Sequence, residues 1–407
     1  MQNQAIRKGE GPNFDVENRS EPGSLDTKKS LIANALAMVE TLELGALTLR
    51  PLADRSGVSV ATLNHHFGDK SSMLETVVSV AIERELAFAE HWRERLDQIP
   101  ARRPRDRAVL AKALFDNWIA LHRREILVLL DLLHLPGLFE VGAQRLAQWS
   151  NQMGAFWSQV FFGTSRFGEL AMGFVIDEAG FALCAGGDPA YASLRTLCLE
   201  SLIRWGAQCE DSDPAFFASL VAALAPRAVP RSIGERNARG RAVVECVADM
   251  LKAHRPAPIT HRAVAARCDV SPATVVYQFG STEDLIVAGL YALIEKFHMS
   301  REQPGAGSKT PLADLVRATG IIALKAARIP ALTEHALDMR RRRGENVTQA
   351  ALIEAGYPAR RAADPVFRQV FALCVFGTRR FAYAIGGPTD QQAGEVVLDW
   401  VRTIPPD

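Results

Sequence analysis

The chain has 407 residues, 47 of them basic and 46 acidic, for a formal net charge of +1. At roughly 100–200 residues per domain this length predicts at least two folding units, and 48% hydrophobic with 23% charged residues excludes a mostly disordered chain. No apolar run approaches the ~18 residues of a membrane span, the greasy stretch Ile126–Leu135 being broken by Asp131, so no membrane partner is expected.

Residues 1–24 are polar and aperiodic and are expected to form a disordered tail. They lack the apolar core of a signal peptide, and Cys184, Cys198, Cys209, Cys246, Cys268 and Cys374 show no C-x-x-C spacing. The cysteines read as reduced thiols of a cytoplasmic chain, not as metal ligands. From Leu25 onward the pattern is helical: apolar residues recur at three- and four-residue spacing (Leu31, Ala35, Val39, Leu42), with no alternating runs of the strand type. The expected fold class is all-α.

The first compact unit is expected over residues 25–75. Thr48 is placed to cap a helix Leu49–Ser56, Gly57 to end it in the left-handed region, and Ser59 to cap the next helix, which carries Thr62, Asn64, His65 and His66. Asp69 caps a third. Residues 76–225 read as a larger helical domain. Trp118, His122, Trp149, Met153, Phe156 and Trp157 give it an aromatic stripe, to be read as plain core or as the lining of a pocket for an apolar or aromatic small molecule. Residues 226–240, with two prolines and several arginines, read as an interdomain linker whose Arg231, Arg236 and Arg239, with Arg241 beyond, are solvated or touch phosphates.

A second compact unit is expected over 241–286 and a second helical domain over 287–404, in which the Arg340–Arg343 run reads as a solvated helix face. The second unit repeats the first. At an offset of 212 residues, Thr48–Gly68 lies over Thr260–Gly280 with 10 of 21 positions identical and no gap. Ser271 repeats the cap at Ser59, Pro272 takes the favoured first helical position, and Ser281-x-x-Asp284 forms a capping box with Asp in place of Glu. A weaker echo places Phe181–Pro189 over Phe381–Pro388. The chain therefore reads as a tandem duplication.

Helix, tight turn and capped helix make helix-turn-helix geometry, in which the second helix can enter a major groove. The first copy resembles the TetR family closely in Ser56-Gly57-Val58-Ser59, Thr62, His66-Phe67 and Lys70, departing at Asn64 where that family usually has tyrosine. The second copy keeps Val270-Ser271, Thr274 and Phe279 but has Cys268-Asp269, Val276, Gln278 and Thr282 at the remaining signature positions, and is the more degenerate head.

The resemblance implies two TetR-like units in one chain, each a three-helix head on a helical regulatory and dimerisation bundle. It implies a sequence-specific transcriptional regulator of the repressor type, with double-stranded DNA and a small-molecule effector as partners, no cofactor, no metal and no catalysis. No G-x-S-x-G, phosphate-loop or H-E-x-x-H motif is present either. In the first head Thr48, Arg50, Ser59, Lys70 and His65 would meet the phosphate backbone, and Val60, Thr62 and Asn64 the base edges. In the second, Thr260, Arg262, Ser271 and Tyr277 would position it, with Pro272, Thr274 and Val276 toward the groove. Trp118, His122, Phe156 and Trp157 are the pocket candidates.

Charge favours pairing of unlike copies. Asp177-Glu178 lies in the penultimate helix of copy one and Arg379-Arg380 at nearly the same place in copy two, so an intramolecular pseudo-dimer brings opposite charges together. A homodimer of chains is the alternative assembly. The competing function is a helical ligand-binding or protein-interaction module whose heads no longer touch DNA. It draws on the degenerate motif of the second copy and on the neutral first head, net −1 over residues 25–75; the +6 over 226–267 points the other way.

Overall fold

The computed structural model describes residues 22–96, 98–99, 101, 103–134, 140–204, 214–253, 259–302 and 312–385. Among them every regular element is helical. The first half holds α1 (Pro22–Met38), α2 (Leu49–Ser56), α3 (Val60–Phe67), α4 (Lys70–Leu96), α5 (Pro104–Leu121), α6 (Arg123–Leu132), α7 (Glu140–Phe162), α8 (Gly168–Ala185), α9 (Pro189–Ile203) and α10 (Pro214–Ala223). The second holds α11 (Ala238–Lys252), α12 (His261–Cys268), α13 (Pro272–Phe279), α14 (Thr282–Glu302), α15 (Leu312–Ala326), α16 (Thr333–Arg341), α17 (Gln349–Glu354), α18 (Ala359–Ala363) and α19 (Pro365–Ala384). None of these helices is long and apolar enough to cross a membrane.

Several boundaries differ from the sequence expectation. Helix α1 begins at Pro22, inside the expected tail, whose residues 1–21 lie outside the described residues. No break falls at 75–76 or 286–287, because α4 and α14 run unbroken from the heads into the bodies. The 226–240 segment is docked rather than extended. Ser232 Oγ and the Ile233 N–H donate to Glu295 on α14, the Arg227 N–H reaches Glu334, and α11 already begins at Ala238, capped by Asn237.

The most extensive packing joins the halves, with α8 lying along α19 and α9 and α15 flanking that pair. Glycine makes the approach close enough: a Cβ on Gly377 would stand 1.8 Å from the Gly173 carbonyl oxygen, and one on Gly173 2.5 Å from that of Cys374. Neither position has room for any side chain. Helix α8 is buried almost all round, which is why its apolar residues show no one-sided pattern.

This junction also buries charge. Asp177 and Glu178 on α8 are both 0% exposed. Arg343 donates to both Asp177 oxygens at 2.8 and 3.1 Å, Arg340 to Glu178 at 2.8 and 3.0 Å, and Arg380 Nη2 to Asp177 Oδ1 at 2.8 Å. The Arg340–Arg343 run is thus no solvated face: Arg340 and Arg343 are buried at 0% and 1% exposure, and Arg341 and Arg342 turn back onto buried Asp338. Arg379 is half-buried and bonds neither carboxylate.

Candidate nucleic-acid interface

The two heads are built alike at the level of single hydrogen bonds. Ser59 Oγ accepts from the Thr62 N–H at 3.1 Å and lies 2.9 Å from Thr62 Oγ1; Ser271 and Thr274 repeat both distances. The turn residue before each cap is left-handed, Gly57 at φ 67° and Asp269 at φ 54°. An aspartate tolerates that conformation better than most side chains, so the missing glycine of the second copy does not open its turn. The Val58 and Val270 N–H groups then bond back to Ala53 and Ala265 at 3.1 and 3.0 Å.

Beneath the turns the pairs Leu52/Val264, Ala53/Ala265, Leu63/Val275 and Phe67/Phe279 are buried. Each pair is separated by the repeat offset. Thr48 sits at the N-cap of α2 in extended conformation, but its hydroxyl makes no capping bond, whereas Thr260 Oγ1 accepts from the Ala263 N–H at the start of α12. Asp69 accepts from the Ser72 N–H at 2.8 Å, which holds its carboxyl below the usual value. Ser281 and Asp284 exchange both bonds of their capping box.

What remains exposed on α3 is Val60, Ala61, Asn64 and His65, with Thr62 half-buried beside its cap and Ser59 and Arg50 open to solvent. Lys70 is committed to the Gly45 carbonyl at 2.9 Å. On α13, Pro272, Val276 and Tyr277 are exposed, Tyr277 at 90%, with Thr260, Arg262 and Ser271 exposed or half-buried and Thr274 half-buried. Val276 and Tyr277 thus give the open side of this short capped helix an apolar and aromatic character. Arg231, before α11, and Arg239 and Arg241, at the start of α11, are exposed, while Arg236 lies 5.0 Å above the Phe279 ring and belongs to the second head.

The first head is held to the body by an ion pair that the sequence does not disclose. Asp131, on α6, accepts from the Leu44 N–H at 2.8 Å and from Arg328 at 2.7 and 3.1 Å, and Arg328 Nε also bonds the Val39 carbonyl. Lys325 pairs with Glu43. In the sequence Asp131 stands out only as the break in an apolar run; a carboxylate there must find a donor, and the donor lies 197 residues away.

The pocket candidates come together, but as packed core. Trp157 is 0% exposed and touches Phe115, Trp118, Phe156 and Phe161, with ring centroids 5.1–5.9 Å away. Trp118 Nε1 donates to Glu85 Oε2 at 2.6 Å, and His122 Nδ1 stands 3.1 Å from Glu85 Oε1. Burial raises the Glu85 carboxyl above its ordinary value, and the Glu125 charge adds to this. Burial alone would lower His122, but its bond to Glu85 and the two carboxylate charges prevail and raise it. Among the described residues no group of three or more His, Cys, Asp or Glu could hold a metal ion.

No curated protein matches the chain. Residues 31–77 do match the family model of the bacterial regulatory proteins of the tetR family. The match runs from Leu31 in α1 through both capped helices and into α4, covering the first head just described. A TetR-type domain at residues 31–77 supports a DNA-binding transcriptional regulator of that family.

Proposed function

We propose that the chain is a double-headed, sequence-specific regulator of the repressor type, two TetR-like units fused in tandem and paired with each other within one molecule. The observation that carries this reading is the repeat itself: two helix-turn-helix corners 212 residues apart share cap, turn and core position by position. The packing of α8 on α19, with Asp177 on one and Arg380 on the other, favours pairing of unlike copies. In this reading Thr62, Asn64 and Val60 face base edges, and Ser59, Arg50, Thr48 and His65 position the duplex. Arg262, Ser271, Thr260 and Tyr277 do the same for the second head, with Pro272 and Thr274 toward its groove. A ligand that favours one spacing of the heads over another then shifts the bound population only by its differential affinity.

The experiment is selection of bound genomic fragments by the full chain, followed by affinity measurements at two salt concentrations. A regulator of this kind gives a sequence-specific complex whose affinity falls steeply with salt. Binding without sequence preference, or none, would favour a helical interaction module.

A further inference from the structure

The second head carries two cysteines where the first carries a hydrogen-bonded polar pair. At the repeat offset of 212 residues, Cys246 on α11 lies over Asn34 on α1. Cys268, the last residue of α12, lies over Ser56, the last of α2. The register holds along the whole first helix, where buried Leu31, Ala35 and Val39 correspond to buried Val243, Val247 and Leu251. In the first head Asn34 Nδ2 donates to Ser56 Oγ at 3.1 Å and ties the first helix to the end of the second. The same place in the second head is given to two thiols.

Contacts within the second head bring those thiols together independently of the repeat. Cys268 Sγ stands 3.9 Å from the Ala242 carbonyl oxygen, which in a helix accepts from the N–H of residue 246. A helical side chain leans back over the turn before it, so Cys246 reaches toward the oxygen that Cys268 already meets. Burial first, and then the adjoining Cys246 sulfur, push the Cys268 thiol up to about 12. Both cysteines are half-buried, within reach of a small reagent in solution. The other described cysteines are placed differently. Cys198 and Cys374 are 0% exposed, and Cys184 donates to the Phe181 carbonyl within its own helix.

We propose that Cys246 and Cys268 form a dithiol site that a low-molecular-weight disulfide oxidises reversibly to a disulfide within the chain. With Cys268 holding its proton, the first attack falls to the Cys246 thiolate, which bonds one sulfur of the reagent while the reagent's own S–S bond breaks and a thiolate leaves. Cys268 then gives its proton to water and attacks the Cys246 sulfur, and the second reagent thiolate leaves. The protein thiols supply two electrons, and the reagent disulfide takes them and ends as two thiols. The new bond replaces by covalent means the contact that Asn34 and Ser56 make in the other head. It joins α11 to the residue directly before Asp269, whose left-handed turn leads into α13. Any effect on DNA therefore falls on the second head alone. That consequence rests on the reading of the chain as a DNA-binding regulator; the disulfide itself does not.

The test uses the full chain, reduced, native and without DNA. It is incubated with excess oxidised glutathione, quenched with acid, and read by free-thiol titration and by mass mapping of its peptides. The expected result is loss of both thiols to a Cys246–Cys268 bridge within single chains, reversed by dithiothreitol. In Cys268→Ser, glutathione should stay on Cys246 as a mixed disulfide. The double variant Cys246→Asn, Cys268→Ser reproduces the pair of the first head and should form no bridge. If the single variant does not fold, mapping of the unsubstituted chain and of the double variant decides the matter. Glutathione retained on either sulfur of the unsubstituted chain, a bridge to another cysteine or to a second chain, or no loss of these thiols would overturn the proposal. A chain that forms the bridge but ignores DNA supports the site and removes only the functional reading.

Discussion

On α3 Thr62 is half-buried and Asn64 exposed, and the two differ in how they are held. Thr62 is pinned by Ser59, while Asn64 is exposed and can pair with adenine through two hydrogen bonds. Replacing both by alanine is expected to remove about 1–3 kcal/mol of discrimination for each base no longer bonded with little change in stability, measured by competition between selected and random DNA. Thr274→Ala should cost less, and equal losses would show that the second head reads bases as strongly. Glu85 and His122 set a pH dependence. Both are raised in the folded state, so each favours folding at low pH and loses that contribution as pH rises through its folded value. Melting temperature should therefore fall between roughly pH 5 and pH 8, and Glu85→Gln, which still accepts from Trp118, should flatten the slope. At this scale the caps are legible in the sequence because Ser, Thr and Asp bond their own neighbours. Arg340 and Arg343 are not, because a run of arginines looks solvated until carboxylates more than 160 residues away are brought to it.

Helix α19 owes its seat on α8 to Gly377 and Gly173, whose missing side chains let one backbone meet the other. Gly377→Ala should push the helices apart and cost about 1–3 kcal/mol, read by urea unfolding, whereas Gly187→Ala, with nothing within 4 Å, serves as a neutral comparison. The existence and spacing of the helices can be read from apolar periodicity, but this crossing cannot, since glycine in a helix carries no sign of what approaches it. The segment before α11 misleads for a related reason: prolines and arginines suggest a free linker, and its anchors, Glu295 and Glu334, lie on later helices. Its exposed Arg231, with Arg239 and Arg241 at the start of α11, still flanks the second head. Changing the three to Gln should reduce the salt slope of DNA binding by roughly 0.9 for each phosphate no longer neutralised; an unchanged slope would leave them outside the interface.

At the scale of the molecule, the proposed duplication would account for both the like architecture of the heads and the unlike charges of the bodies. On that proposal two tethered copies would meet at high effective concentration and could then drift apart in sequence, in keeping with Asp177 and Glu178 on one side facing arginines on the other. The repeat is visible in the sequence because the head's turns tolerate few residues. The body's pairing surface is visible only as a charge contrast, and the partners of Asp177 and Glu178 include Arg343 and Arg340 as well as Arg380. A pair of unlike heads should occupy an operator of unlike half-sites. The most direct measurement is a hydroxyl-radical footprint of the full chain on its selected fragment. Two protected stretches of different sequence are expected, one of them abolished in the Thr62→Ala, Asn64→Ala variant. No protection, or two copies of one half-site that vanish together in that variant, would contradict the double-headed account.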